Sequence, residues 1–316
     1  MWPDRYAVRS TSPLRNGPPD TPYRGRARLP GSAAPCPCRG RLTQELLTLY
    51  VVERWLARLA VSPYAEQFVL KGGILLAAFD ARRPTADIDA LARNFTNDEA
   101  TVLARIIAIA EQSIPDDGVE YRTHTVTSRV IRDEDLYSGV RVAMDCGIAS
   151  AIVKLRLDVN FGDPVTPARQ QIDLPALGPD HPPIRILGYP LETVLAEKIT
   201  TAISLGPANT PVRNYADIYT LTGDRGISHS AARGALIATA SHRGTDVVAV
   251  SSVIGDLIEL RRPSYDAHRA GLGPDAAALP REFATVVHAV LAFADWLTDA
   301  ATPTMTWNGS TRVWID

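Results

Sequence analysis

The sequence predicts an α+β protein, with an α/β half followed by a helical half. Three observations carry this. Leu42, Leu46, Leu49, Leu56 and Leu59 recur at helical spacings. The segment AIVKLRLDVNFGD, residues 151–163, alternates as a strand does: Val153, Leu155, Leu157 and Val159 take one side, Lys154, Arg156, Asp158 and Asn160 the other. From Pro190 the pattern stays helical to about residue 300, with no further long alternation.

The remaining elements follow in chain order. Residues 1–41 are dense in Pro, Gly, Ser and Arg and lack apolar periodicity, so they are expected to be a disordered tail. An RNA-binding arm is the sharper alternative, because Arg there outnumbers the acids. Pro63 closes the first helix, residues 66–70 (EQFVL) read as a short buried strand, and Gly72-Gly73 breaks it. Residues 74–79 read as a short helix and 85–92 (TADIDALA) as a strand; Asn97 is the expected cap of a helix over 98–114. Strands dominate 119–161, a loop runs to about 183, and IRILGYP, residues 184–190, is a strand. Pro190 starts a helix over 191–205, followed by helices near 213–223, 228–242, 245–262 and 281–300. A last hairpin is expected around Asn308-Gly309. The domain boundaries are therefore a tail over 1–41, an α/β domain over 42–189 and a mainly helical domain over 190–316.

Composition narrows the function. The chain has 316 residues, 46% of them hydrophobic and 22% charged, as a protein with a real core does. No apolar run is long enough for a membrane span and the N-terminus lacks a secretory signal, so no membrane partner is expected. Three cysteines make no disulfide framework, and a reducing cytoplasm is the expected location. Cys36 and Cys38 have no second ligand pair nearby to hold zinc. A net charge of −2 argues against a polybasic nucleic-acid binder but permits a local basic groove.

The chemistry gathers around FVLKGGILLAAFDARRPTADIDALARN, residues 68–94. On a strand Asp87 and Asp89 point the same way, about 6.6 Å apart, with Ile88 directed into the core. Two carboxylates this close repel, and a divalent cation between them removes that cost; hard oxygen ligands suit Mg2+. Asp-x-Asp alone is weak evidence: Asp133 and Asp135 repeat the spacing around Glu134, in a polar context that reads as a solvated loop. Three neighbours strengthen the first pair. Gly72-Gly73 opens a helix after a strand, where backbone can approach an anion, although it is neither a Walker loop nor a dinucleotide fingerprint. Asp158 stands on the charged face of a later strand and could complete a metal cage. Arg82 and Arg83 precede the acids, where they could meet a triphosphate.

Together these residues carry a resemblance. The Gly-Gly turn, the Asp-x-Asp strand and the later Asp strand resemble the DNA polymerase β-like nucleotidyltransferase superfamily. More narrowly, FVLKGGILL, RPTADID, LDVNFGD and YPLETVLAEKITTAISLGPANTPVRNYADIYTL are similar to the AbiEii / MenT family, nucleotidyltransferase toxins of type IV toxin–antitoxin systems. The resemblance runs from about Leu42 to about residue 224, more loosely beyond. It implies a polymerase β-like domain with a mixed sheet, then a helical domain. It places Asp87, Asp89 and Asp158 at the metal-binding acids, Lys198 at a lysine contacting nucleotide phosphates, and Asp217 at an acid completing the site. Lys71, Gly72, Gly73, Arg83 and Thr85 join Lys198 as the expected nucleotide-binding set, and the resemblance marks Thr85 as an implied phosphorylation site. Many members have Ser or Thr after the glycines; here Ile74 stands there.

The activity implied is Mg2+-dependent transfer from an NTP to the 3′ end of tRNA, which blocks aminoacylation and hence translation, with a cognate antitoxin as partner. Transfer to a small molecule and a non-catalytic NTP- or partner-binding fold are the alternatives. A basic surface for RNA would draw on Arg122, Arg129, Arg132, Arg141, Lys154, Arg156 and Arg169. Read without the resemblance, Arg213 and Asp217 have the spacing of a helical ion pair, and only one of Glu197 and Lys198 is expected to meet the cleft.

Overall fold

The computed structural model describes residues 43–115, 117–132, 138–178, 181–298 and 304–316. The tail over 1–41, with Cys36 and Cys38, and the second acid pair, Asp133 and Asp135, lie outside the described residues. The described residues belong to one compact unit.

Helix α1, Thr43–Val61, buries Leu49, Trp55, Leu56 and Leu59, the stripe its leucine spacing predicts. Strand β1 is Phe68–Lys71, and α2, Gly72–Leu75, continues as a 3-10 turn over Leu76–Phe79. Strand β2 is Asp87–Ala92 and α3 is Glu99–Ala110. The α3 cap is Asp98, not Asn97: its carboxylate accepts from the Thr101 amide at 2.8 Å. The helix also stops at Ala110 rather than 114.

Strands β3 (Val119–Tyr121), β4 (Thr127–Arg132), β5 (Ser138–Ile148) and β6 (Ala151–Phe161) follow. The expected loop before residue 183 contains a further strand, β7, Gln170–Leu174. It is hidden among Pro and Gly residues, and it forms by antiparallel pairing with β8, Ile184–Gly188. These eight strands make one mixed sheet in the order β3-β5-β6-β2-β1-β8-β7, with β4 also on β5. The β2–β6 and β1–β8 pairs are parallel. Helices α1 and α3 cover the apolar face. Val153, Leu155, Leu157 and Val159 of β6 are buried there with Val140, Val142 and Met144 of β5 and Ile88 of β2. The alternating partners on β6 carry the charged face.

Pro190 caps α4, Leu191–Asn209, which kinks at Gly206. Then come α5 (Val212–Leu221), strand β9 (Gly226–Ser228), α6 (His229–His242), α7 (Leu257–Gly271) and α8 (Phe283–Ala294). The helix expected over 245–262 is replaced by an irregular stretch with a single 3-10 turn, Val250–Ser252, before α7. Val247, Val248, Val250 and Val253 disfavour helix there, and Gly255 takes a left-handed φ of 45°. Phe283 of α8 packs against Tyr215 of α5 and Tyr265 of α7. The expected terminal hairpin forms from β10, Thr306–Asn308, and β11, Val313–Ile315, with β9 joining as a third strand.

Candidate active site

The parallel β2–β6 pairing sets the site. Asp89 is the register partner of Asp158, and Asp87 that of Arg156. Partners in register share a sheet face, so Asp87, Asp89 and Asp158 all stand on the charged face. The row continues on both sides: Lys71 lies opposite Asp89 on β1, Arg141 opposite Asp158 on β5, and Arg129 opposite Arg141 on β4. Arg141 grips Asp158 with two hydrogen bonds, Nε to Oδ1 at 2.6 Å and Nη2 to Oδ2. The Arg156 guanidinium stands 4.0 Å from Asp87.

These carboxylates are in electrostatic conflict. Burial pushes the Asp89 carboxyl up to about 6; Lys71 opposes this, and the negative charges of Asp158, Glu197 and Asp87 add to it. The Oδ1 atom of Asp87 is buried without a hydrogen-bond partner.

Gly72 shows why the turn is glycine. Its φ is 69°, and a Cβ placed on it would meet Asp89 Oδ2 at 1.9 Å. The missing side chain makes room for the carboxylate itself, a closer reason than the approach of a phosphate. A Cβ on Gly73 would meet Thr85 Oγ1 at 2.8 Å and Arg83 Nη1 at 3.3 Å, so Thr85 and Arg83 close over the second glycine. Ile74 turns into the core, 6% exposed, where the family resemblance leads one to expect a phosphate-binding hydroxyl.

Lys71 is buried. Its ammonium pairs with Asp163 at 2.5 Å and with Glu197 of α4 at 2.9 Å. Burial pulls its pKa down, but Glu197 and Asp163 outweigh that and hold it above its ordinary value. Tyr189 donates to Asp163 at 3.1 Å, and Arg243, which follows α6, reaches Glu197 at 3.3 Å. Lys71 thus bolts the end of β1 to the helical half with its ammonium already engaged.

Asp217 makes a second bolt. It accepts from Arg83 Nε at 2.9 Å and from Lys198 Nζ at 2.6 Å. Burial opposes its ionisation, yet Lys198 and Arg83 outweigh burial and leave its carboxyl below the usual range. The partners of Asp217 are therefore Arg83 and Lys198, from a distant loop and the preceding helix, rather than the Arg213 that helical spacing offered. Both Glu197 and Lys198 take part in the polar interior, although they are adjacent on α4: one turns to Lys71, the other to Asp217. Arg82 reaches the Pro175 carbonyl.

Sequence reasoning missed Asp163, Tyr189, the part played by Glu197 and the contact of Arg141 with Asp158. A signal existed for two of them. A lysine at the end of an otherwise apolar strand demands buried counter-charges, and Asp163 and Glu197 lie in the blocks LDVNFGD and LAEKI. Pairing of Arg141 with Asp158 needed the β5–β6 register, which sequence does not give.

The donor set suits a hard divalent cation: three carboxylates on one sheet face, one of them raised in pKa and one with an oxygen that accepts no hydrogen bond. As the side chains stand, no three His, Cys, Asp or Glu groups among the described residues converge as a metal cage. Asp158 is turned to Arg141 instead.

A mixed sheet bearing paired acids beside a glycine turn, joined to a helical half, is the arrangement expected of a protein of the nucleotidyltransferase class. Residues 54–294 match the family model described as "Nucleotidyl transferase AbiEii toxin, Type IV TA system", and the chain belongs to that family. Among solved structures, it is similar to MenT4, a nucleotidyltransferase toxin from Mycobacterium tuberculosis H37Rv, at 16% identity over 83% of this chain and 87% of that one, TM-score 0.48. It is also similar to JHP933 from Helicobacter pylori at 14% identity over 79% and 97%, TM-score 0.41. No curated protein matches the chain in sequence. The family makes this a nucleotidyltransferase toxin with an antitoxin counterpart. Among the described residues no helix is long and apolar enough to cross a membrane.

Proposed function

We propose that this toxin is a cytoplasmic, Mg2+-dependent enzyme that transfers nucleotide from an NTP to the 3′ end of tRNA, blocking aminoacylation and translation. The observation that carries the reading is the parallel register of β2 and β6, which sets Asp158 beside Asp89 on the face that also bears Asp87. Asp87 and Asp89 would hold the metal, with Asp158 as the third ligand. A bound Mg2+ supplies charge neutralisation and Lewis acidity at the phosphates.

The protein residues do the rest. Asp158 accepts the proton of the RNA 3′-hydroxyl. The freed oxygen forms a bond to the α-phosphorus, the bond from that phosphorus to the bridging oxygen breaks, and pyrophosphate leaves. Arg83 and Lys198 share one carboxylate, Asp217, so the trio keeps a net positive charge, with Arg83 over Gly73, to offset the departing phosphates. Gly72 lets Asp89 approach the turn, and Lys71 fixes that turn against α4. A phosphoryl group on Thr85 would crowd Gly73 and add negative charge beside Arg83, which gives modification there a silencing effect.

The test is incubation of purified protein with total tRNA, Mg2+ and each labelled NTP in turn, beside Asp87→Ala. Label on the RNA 3′ end from the parent and none from the variant supports the reading. Equal labelling by both contradicts it.

A further inference from the structure

Arg141 is the cation that Asp158 already has. Its guanidinium covers the carboxylate from two directions, Nε to Oδ1 and Nη2 to Oδ2. It does this from the solvent side: its side chain is 38% exposed, against 15% for Asp158. Lys71, the cation at the other end of the row, is buried and doubly paired. The cation beside Asp89 is enclosed, and the cation beside Asp158 is open to solvent.

From this geometry we infer that Arg141 is a positioning residue that holds Asp158 in a closed, cation-satisfied state and must release it before that carboxylate can join Asp87 and Asp89 around a divalent ion. A bidentate guanidinium takes one lone pair on each carboxylate oxygen and offsets the carboxylate's charge, so it competes with a divalent ion for that group. Released, Arg141 stands on the exposed sheet face next to Arg129, its register partner, where a polyanion would take it. The exchange of carboxylate for phosphate at Arg141 links metal loading to arrival of the anionic substrate. This mechanism rests on the metal-holding role proposed for the three acids and adds regulation of that same site.

The test is direct titration with Mn2+ alone, read by the electron paramagnetic resonance signal of free Mn2+. The proteins compared are the parent, Arg141→Gln, Arg141→Lys, Arg129→Gln and Asp87→Ala. Arg141→Gln is expected to bind Mn2+ at least about fivefold tighter than the parent, the low end of ordinary coupling between sites. Arg129→Gln removes the same charge one strand further along the row without touching Asp158, and is expected to shift affinity less than about twofold. Arg141→Lys keeps the charge, loses the fork, and falls between them. If Arg141→Gln does not fold, tighter binding by Arg141→Lys than by the parent supports the gate in its place. Unchanged or weaker Mn2+ binding by the Arg141 variants, with the parent binding and Asp87→Ala not, overturns the gate and leaves the metal site standing. Equal tightening by Arg129→Gln overturns it too, since net charge alone would then explain the effect. Mn2+ binding by Arg141→Gln but not by the parent supports the gate in its strongest form, and absence of binding by the parent and by both Arg141 variants overturns gate and metal site together.

Discussion

Gly72 lacks a side chain because Asp89 already fills the space where one would go. Gly72→Ala is therefore expected to remove transfer activity and to lower stability by more than the ~1 kcal/mol of an ordinary Gly-to-Ala strain, since the added Cβ would meet the Asp89 carboxylate at 1.9 Å on a backbone with positive φ. Thermal unfolding beside the labelling assay checks this, and a fully active variant would contradict the contact. Lys71 makes a second prediction. Lys71→Met leaves Asp163 and Glu197 without their shared cation in a buried setting, and a loss of about 3–5 kcal/mol in urea unfolding is expected. Asp217 adds a pH dependence. Its folded carboxyl titrates below the unfolded value, so its contribution to stability is fully present above the unfolded pKa of about 3.9 and fades as pH falls toward the lower folded value. The stability gap between the parent and Asp217→Asn should hold steady above about pH 5 and shrink below about pH 4 in urea midpoints. A gap that stays constant down to about pH 3 would remove the ion-pair explanation.

At the scale of elements, period-2 alternation on β6 was readable because it is long and half-buried: Val153 through Val159 face α1 while Asp158 faces outward. The same alternation placed Asp87 and Asp89 together on β2. What the alternation could not give was the neighbour. That Asp89 sits in register with Asp158 depends on a parallel pairing between strands far apart in the chain, and no local pattern encodes it. β7 was invisible for a related reason: QQIDL is short and lies among Pro and Gly, and only its partner β8 makes it a strand. The helix expected over 245–262 gave apolar spacing more weight than β-branching. The α3 cap offers a modest check: Asp98→Ala should cost about 1 kcal/mol, seen as a small drop in the urea midpoint, whereas Asn97→Ala should cost little.

Across the whole molecule the sheet and the helical half are tied by two buried charge clusters, Lys71 with Glu197 and Asp163, and Arg83 and Lys198 with Asp217. Both clusters flank the carboxylate row, so the bolts that join the halves also shape the site. The resemblance singles out Lys198 and Asp217 separately; their mutual pairing emerges only with the fold. The acids at 87, 89 and 158 belong to one unit in this account. Residues acting as a unit lose function together rather than additively. The most direct test measures tRNA 3′-end labelling by Asp87→Asn, Asp158→Asn and the double variant, each checked for native folding. The account predicts that each single change lowers the rate at least about a hundredfold and that the double variant is little worse than either. An Asp158→Asn protein that labels tRNA at the parent rate would contradict it.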